Sequence, residues 1–198
     1  MTKPYSAACA NNSAAILKQL SRLLIKAKSV LEIGSGTGQH AAYFAEGLQH
    51  LIWQTSDVID NHEGINCWVA EAELSHLLAP ITLDVTQDME LESRYDAIFM
   101  ANTLHIMPWS VVDKCLKKAS MYLKTNGQLI VYGPFNYDDK FTSDSNQQFD
   151  RHLKASNVER GIRDFEKVDQ LAMSCGFSFK EDNAMPANNQ LVVWQFNG

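Results

Sequence analysis

A glycine-rich turn constrains the fold of this chain more than any other feature of its sequence. Residues 29–33 are Ser-Val-Leu-Glu-Ile, residues 34–38 are Gly-Ser-Gly-Thr-Gly, and residues 39–46 have the composition of a helix. Closely spaced glycines allow a sharp turn and a close approach of the backbone to a ligand, and the first amides of a helix attract anionic groups. The pattern predicts a strand, a ligand-binding turn and a helix, which together begin a β-α-β unit.

Strand-like and helix-like segments alternate along the rest of the chain. This alternation predicts an α/β fold, with a mostly parallel sheet of about seven strands and helices on both faces. The apolar runs that indicate strands are residues 29–33, 51–56, 81–83, 95–101 and 128–132, and the helical segments are residues 39–46, 63–78, 109–123, 146–155 and 164–175.

The two ends of the chain complete the prediction. Apolar residues spaced by three and four indicate a helix with its N-cap at Asn12 or Ser13, within an N-terminal helical arm of residues 1–28. Residues 177–181 and 191–196 are β-like runs joined by a short turn. Adjacent strands with a short link pair antiparallel, so a C-terminal hairpin is expected at the end of the sheet.

Composition and charge favour a folded domain that does not bind nucleic acid. Hydrophobic residues make up 45% of the chain, and we expect a single domain over residues 1–198. The 17 Lys and Arg residues are outnumbered by 23 Asp and Glu residues, for a formal net charge of -6. Nucleic-acid binding depends on clustered cations, so a nucleic-acid partner is not expected. The oligomeric state is left open.

The sequence also favours a cytoplasmic location without membrane association. Its apolar runs are shorter than the roughly 20 residues that cross a bilayer, and residues 1–6 lack the pattern of a signal peptide. The cysteines and the six histidines are scattered along the chain, so neither a disulfide framework nor a metal site is expected. The cysteines are Cys9, Cys67, Cys115 and Cys175.

The glycine spacing discriminates between cofactors. A dinucleotide fingerprint, G-x-G-x-x-G, would place a third glycine where this chain has Gln39, so a nicotinamide-dependent oxidoreductase is disfavoured. The observed order, an acid, an apolar residue and then Gly-x-Gly-x-Gly, resembles motif I of the class I S-adenosylmethionine-dependent methyltransferases. The resemblance implies S-adenosylmethionine as the cofactor. It also implies a binding turn made of Glu32, Gly34, Ser35, Gly36 and Gly38.

Two carboxylates follow the next two strands. Asp57 lies about 20 residues beyond the turn, where a Rossmann-like fold holds a ribose diol, although an Asp there could also be a helix N-cap or a strand-end turn residue. Asp84 follows the third strand, where the resembling enzymes use a carboxylate near the adenine amino group. Asp84 could equally be a surface turn residue.

The fourth predicted strand leads into two candidate catalytic residues, Asn102 and His105. Ligands in open α/β sheets bind beyond the carboxyl ends of the strands, which would place both residues beside the transferable methyl group. Asn102 offers a donor and an acceptor, suited to the cofactor or to a substrate amine. His105 could accept a proton from the nucleophile because imidazole titrates near neutral pH, or it could pack at the helix start and bond a carbonyl.

Further strings extend the resemblance over nearly the whole chain. The sequence is similar to the methyltransferase-like protein 26 family of small class I methyltransferase-like proteins. Two departures are Ala10-Asn11, where that family usually has Glu-Arg, and Thr55, where it often has Pro. The resemblance implies the fold and the cofactor and leaves the substrate open. The segments that carry it are residues 34–42, 53–57, 102–108, 132–135, 145–146, 149–150, 161–164 and 185–189.

Residues 133–175 form an expected substrate-side insertion after the fifth strand. Arg163 could clamp a carboxylate or phosphate, or could pair within the protein with Asp150 or Asp164. Asn188 and its neighbour could supply only the geometry of a hairpin turn, because Asn tolerates left-handed conformations. The candidate substrate-binding residues are Phe135, Asn146, Asp150, Arg163, Asn188 and Asn189.

Two functions fit these residues. The first is an S-adenosylmethionine-dependent methyltransferase that acts on a small molecule or an exposed protein group. Methyl transfer needs an aligned nucleophile stripped of water, so positioning and desolvation can supply most of the catalysis without a strong base. The second is a nonenzymatic S-adenosylmethionine-binding module that organises an interaction surface.

Overall fold

A computed structural model describes residues 3–88 and 91–198 of the chain. The described residues contain no helix that is both long and apolar enough to cross a bilayer. The helices are α1 (Ala7–Leu23), α2 (Gln39–Gly47), α3 (His62–Ala72), α4 (Trp109–Tyr122), α5 (Asp144–Ser156) and α6 (Phe165–Ser174). The strands are β1 (Ser29–Ile33), β2 (Ile52–Asp57), β3 (Leu77–Thr82), β4 (Tyr95–Ala101), β5 (Leu123–Gly133), β6 (Phe135–Asn136), β7 (Arg163–Asp164), β8 (Phe177–Met185) and β9 (Asn189–Phe196).

Seven strands form one mostly parallel sheet in the order β3-β2-β1-β4-β5-β9-β8. Strands β1 to β5 pair in parallel with one another, and β9 is antiparallel to both β5 and β8. This arrangement confirms the predicted α/β sheet with a C-terminal antiparallel hairpin. The order reverses at β1, so the carboxyl ends of β1 and β4 border the crevice in which open α/β sheets bind ligands.

Helices cover both faces of the sheet because side chains alternate across each strand. In β1, Val30 packs under α1 and α2, whereas Leu31 packs with α4 and α6 on the opposite face. Ala97 and Ile98 repeat this alternation in β4. Strands β1 and β4 therefore each contribute to two hydrophobic cores, as their near-continuous apolar runs in the sequence predict.

The first helix begins earlier than predicted. Ser6 is the N-cap, because its side-chain oxygen accepts a hydrogen bond from the amide of Cys9 at 3.3 Å. Asn12 and Ser13 lie inside α1, and the Ser13 hydroxyl donates to the carbonyl of Cys9 at 2.6 Å. The prediction of an N-cap at Asn12 or Ser13 was wrong because both residues belong to the side of α1 that faces the protein.

Two other differences concern strands. The predicted helix over residues 63–78 ends at Ala72, and β3 begins within the remainder. Pro80 is tolerated in β3 because this strand is at the edge of the sheet. A small second sheet, in which β6 pairs in parallel with β7, was not predicted because two-residue strands carry no periodic signal.

Helix α1 packs into the hydrophobic core, so truncating one of its buried side chains should lower the stability of the whole protein. Leu20 is fully buried, so Leu20→Ala should lower the free energy of unfolding by about 2–5 kcal/mol. Ile25, just after α1, is 71% exposed, and Ile25→Ala should change it by less than about 0.5 kcal/mol. Urea denaturation of both variants measures the difference, and equal effects would show that α1 is not packed as described.

Candidate functional site

Two cavities open where the carboxyl ends of β1, β2 and β4 meet. The larger has a volume of about 660 Å³ and is lined by residues of α1, the glycine turn, α5 and the turn before β9. The smaller has a volume of about 320 Å³ and is lined by residues that follow β2 and β3. Both are lined by Gly34, Gly36, Ala101 and Asn102, so the cavities meet beside the glycine turn.

The glycine turn is held against the end of β2 by its own backbone. Gly34, Gly36 and Gly38 have φ angles of 76°, 58° and 86°, a left-handed conformation that favours glycine. The amides of Gly34 and Ser35 both donate to the carbonyl oxygen of Ser56, at 3.1 Å and 3.0 Å. These two hydrogen bonds therefore hold the start of the turn against the end of β2.

The glycines differ in what surrounds them. A Cβ atom on Gly38 would lie 2.8 Å from the Cα atom of Ile65, so the absence of a side chain allows α3 to pack against the turn. A Cβ atom on Gly36 would meet no heavy atom of the described residues within 4 Å. The open space at Gly36 belongs to both cavities, which suits a backbone that a ligand approaches closely.

The Asp57 carboxylate joins the turn to the end of β2. Its Oδ2 accepts a hydrogen bond from the amide of Gly36 at 2.7 Å, and its Oδ1 accepts from the amide of Val58 and from the Asn61 side chain, both at 2.8 Å. Asp57 thus acts as a strand-end turn residue and also lines the smaller cavity. Its role as a ribose ligand stays a prediction.

Glu32 is a buried carboxyl group on the wall of the larger cavity. Its Oε2 accepts hydrogen bonds from the Ser35 hydroxyl at 2.8 Å and from the Trp53 indole at 3.3 Å. Burial raises the pKa of Glu32 from 4.5 to about 7, because desolvation outweighs these two bonds, and the nearby Asp57 charge adds to the rise. Ser35 also accepts from the amide of Ser56, so its hydroxyl links β1 to β2.

Asp84 closes a local turn and lies at the smaller cavity. Its Oδ1 accepts hydrogen bonds from the hydroxyl of Thr86 at 2.7 Å and from the amide of Thr86 at 2.9 Å, which closes a local turn. These bonds lower the pKa of the carboxyl group. Asp84 also lines the smaller cavity, together with the apolar side chains of Leu83 and Val85. Its contact with an adenine amino group remains a prediction.

Asn102 and His105 come together as predicted. Asn102 follows β4 with a left-handed φ of 56°, and its amide donates to the carbonyl of Tyr132 at 2.9 Å. A Cβ atom on Gly133 would lie 3.7 Å from His105 Nδ1 and 3.9 Å from Asn102 Oδ1, so both polar atoms converge on one point. Both residues line the larger cavity, and their catalytic roles remain predictions.

The His105 ring is uncharged at neutral pH. Burial lowers the pKa of His105 from 6.5 to about 4, and the positive charge of Arg163 contributes to the decrease. The ring packs edge to face on Phe149 of α5, with centroids 5.2 Å apart. The ring therefore does not titrate near neutral pH, in contrast to the expectation from the sequence, and in its neutral form it can accept a hydrogen bond from a bound molecule.

The structure corrects both predicted roles of Arg163. Its guanidinium group donates to the backbone carbonyls of Leu104, Met107 and Glu159. A clamp on a substrate anion and an ion pair with Asp150 or Asp164 both assumed an anionic acceptor, whereas the acceptors here are neutral backbone carbonyls.

Asp150 is a structural residue in this fold. Its Oδ2 accepts a hydrogen bond from Lys154 at 2.6 Å, and its Oδ1 accepts one from the amide of Ile162 at 2.9 Å. Phe135 is also structural, because its side chain is buried in the core beside α4 and α6. Neither Asp150 nor Phe135 lines the larger cavity, in contrast to the predicted substrate contacts.

Two of the predicted asparagines do line the larger cavity, Asn146 and Asn189. The Asn146 side chain donates to the Thr142 hydroxyl at 2.8 Å and to the carbonyl of Asn188 at 3.0 Å, which ties α5 to the turn before β9. Asn188 has a left-handed φ of 55° and thus supplies turn geometry, the alternative proposed for it. Substrate contacts of Asn146 and Asn189 remain predictions.

Several residues of the larger cavity were missed by the sequence analysis. The His40 ring hydrogen bonds to Asn12 Oδ1 at 2.6 Å, and burial lowers its pKa to about 4. Tyr132 is buried beside Asn12, and Phe149 covers His105. Asn12 lies four residues before Ile16 on the core-facing side of α1, and this polar residue in an apolar stripe was an available signal.

A family model matches nearly the whole chain. The model of the family described as "Protein of unknown function (DUF938)" matches residues 3–196.

Within residues 3–88 and 91–198, no three His, Cys, Asp or Glu side chains are arranged to hold a metal ion.

Solved methyltransferase structures share the fold. An O-methyltransferase family protein from Burkholderia thailandensis is 14% identical, with a TM-score of 0.82 over 94% of this chain and 56% of that protein. The S-adenosylmethionine-dependent methyltransferase SibL is 20% identical, with a TM-score of 0.83 over 97% and 56%. Human N-acetylserotonin methyltransferase in complex with SAM is 15% identical, with a TM-score of 0.81 over 96% and 53%. The chain thus spans about half the length of these proteins and has their methyltransferase-like Rossmann fold.

The surroundings of the glycines predict different stability losses. Gly36→Ala should lower the free energy of unfolding by about 1–2 kcal/mol, the cost of a left-handed conformation for an L-residue. Gly38→Ala adds a contact with the backbone of Ile65 and should destabilise the protein more. Chemical denaturation of the two variants tests this order, and a larger loss in Gly36→Ala would contradict it.

Glu32 predicts a pH-dependent stability. Its pKa in the folded protein, about 7, lies above its ordinary value of 4.5, so folding favours the protonated form. The associated stability is present below pH 4.5 and is lost as the pH rises through about 7. Relative to wild type, Glu32→Gln should therefore gain stability between pH 5 and pH 8.

The matched control is Glu46→Gln, which removes an exposed carboxyl group of α2. Denaturation curves of wild type and both variants across this pH range measure the effect. A stability difference between wild type and Glu32→Gln that does not change with pH would show that Glu32 is not buried as described.

Proposed function

Because the chain belongs to the DUF938 family and has a methyltransferase-like fold, we propose that it is an S-adenosylmethionine-dependent methyltransferase. The observation that carries the proposal is the meeting of two cavities at Gly34, Gly36 and Asn102, at the carboxyl ends of the central parallel strands. An elongated cofactor with a reactive centre between two polar ends suits two compartments that join at a glycine turn.

The residues present fit S-adenosylmethionine. The smaller cavity offers apolar walls at Leu83 and Val85 and carboxylates at Asp57 and Asp84, suited to an adenine ring and a ribose diol. Glu32 in the larger cavity would hold the cationic amino group of the methionine end, which would favour its ionised form. The space left open by Gly36 would accommodate the cofactor itself. The chemistry that the cofactor supplies is an electrophilic methyl group on a sulfonium.

The acceptor side offers uncharged polar and aromatic groups. Asn102 supplies an amide, His105 a neutral imidazole and Tyr132 a phenol, and Phe149 forms an aromatic wall. These groups suit a small molecule that forms hydrogen bonds and carries no net negative charge, and an exposed protein group is the alternative. Asn102 and His105 would align the nucleophile, and the closely packed wall would exclude water. His105 could also take the proton that the nucleophile releases, as a weak base.

Four further assignments belong to this proposal. The motifs that resemble the methyltransferase-like protein 26 family support a relationship between that family and DUF938. The continuous sheet supports one domain over residues 1–198, in which residues 133–175 form the acceptor side. The four cysteines are free thiols, which fits a cytoplasmic location. The acidic net charge supports a protein that does not bind nucleic acid.

Calorimetry with S-adenosylmethionine and S-adenosylhomocysteine tests the proposal. Wild type should bind both, and Asp57→Asn should weaken binding by about 1–3 kcal/mol, because it removes a charge-assisted acceptor from the smaller cavity. The control Asp113→Asn changes a surface carboxylate that pairs with Lys117 and should leave affinity unchanged. Absence of binding to wild type would overturn the cofactor assignment.

A screen with metabolite extracts tests the chemistry. The proposed function predicts S-adenosylhomocysteine formation that depends on the extract and is lost in Asn102→Ala. Tight cofactor binding without any turnover would instead favour the nonenzymatic binding module.

A further inference from the structure

We propose that Arg163 is the positioning residue for His105, holding the short turn that carries the ring at the edge of the larger cavity. The inference rests on the proposed function, in which His105 faces the acceptor. It concerns a residue that does not line either cavity and therefore acts through His105.

The backbone of the turn that carries His105 accepts hydrogen bonds from the side chain of Arg163. His105 lies in a 3-10 turn, Leu104–Ile106, directly after Asn102 and Thr103. Arg163 Nε donates to the carbonyl of Leu104 at 3.1 Å, and Arg163 Nη2 donates to the carbonyl of Met107. One side chain thus binds the backbone on both sides of His105.

A backbone contact completes this attachment. The amide of Gly161 donates to the carbonyl oxygen of His105 itself at 3.0 Å. The carbonyls of Leu104, His105 and Met107 therefore have donors from residues 161–163, and carbonyls of a partly buried turn need such donors. The position of the imidazole is consequently set by a segment almost 60 residues away in the sequence.

Residues 161–163, which hold this turn, are themselves held by the sheet and by α5. Arg163 pairs with Phe135 between β7 and β6, and Phe135 follows the end of β5 by two residues. The buried Asp150 of α5 accepts from the amide of Ile162 at 2.9 Å. A Cβ atom on Gly161 would lie 2.8 Å from Asp150 Oδ1, so glycine permits this close approach. Arg163 therefore transmits the position of the sheet and α5 to the turn.

Arginine suits this role better than lysine. A guanidinium group presents its N–H donors in a rigid plane, and here Nε and Nη2 reach three carbonyls, the third being that of Glu159 at 3.0 Å. An ammonium group on a flexible stem would not hold two carbonyls on either side of a turn in fixed positions. Arg163 is also the charge that contributes to the low pKa of His105.

The experiment follows the His105 ring by NMR in ligand-free protein with isotope-labelled histidine. The His105 signal is identified as the one missing from His105→Gln. In Arg163→Gln we expect the ring signal to shift or broaden and the pH at which the ring protonates to rise toward 6.5. In Arg163→Lys the signal should shift while protonation stays at low pH, because the charge remains. Arg160→Gln, a neighbouring arginine with no described contact to the 3-10 turn, is the control and should match wild type.

A second readout separates positioning from stability. Because Arg163 lines neither cavity, the affinity of folded Arg163→Gln for S-adenosylhomocysteine should stay within about twofold of wild type, whereas kcat on an identified acceptor should fall about 10- to 100-fold through misplacement. If Arg163→Gln does not fold, Arg163→Lys carries the test. An unchanged His105 signal in both folded variants overturns the proposal, even if the protein proves to be a methyltransferase. Absence of cofactor binding by wild type overturns the proposed function and leaves the ring measurement as the test of the clamp.

Discussion

The hydrogen bond between the Asp57 carboxylate and the amide of Gly36 is the contact on which the candidate site depends. It fixes the tip of a left-handed turn to the end of the neighbouring strand, while Ser56 holds the first two amides of the same turn. The turn also contacts two helices, because α2 starts at its end and α3 packs on Gly38. The turn and the end of β4 together line both cavities.

Sequence reasoning recovered the parts of the fold that have local signals. Apolar runs identified β1 and β4 to the residue, and the glycine spacing identified the left-handed turn after β1, because each signal lies within a few consecutive positions. The N-cap at Ser6 and the two-residue strands were missed. An N-cap differs from any other serine only in its backbone conformation, and short strands are formed by tertiary contacts that periodicity does not report.

The candidate site divides in the same way. The prediction that Asp57, Asn102 and His105 lie near one another rested on the ends of parallel strands sharing one edge of the sheet, and all three line a cavity at that edge. An anionic partner was predicted for Arg163 because its charge is visible in the sequence, whereas its acceptors are backbone carbonyls, which carry no sequence signature. Phe149 reaches the cavity from a helix whose placement follows from packing of the whole chain, so local patterns do not identify it, whereas Asn12 had a local signal as a polar residue in the apolar stripe of α1.

Helix α1 has two functions in this architecture, and they are inseparable. Ile16 and Leu20 close the hydrophobic core on one face of the sheet, and one to three turns earlier Cys9 and Asn12 form a wall of the larger cavity. Any excursion in which α1 detaches therefore opens the cavity and exposes the core in one event. A ligand that contacts this wall would stabilise the attached helix by mass action, so filling the cavity should slow amide exchange in α1.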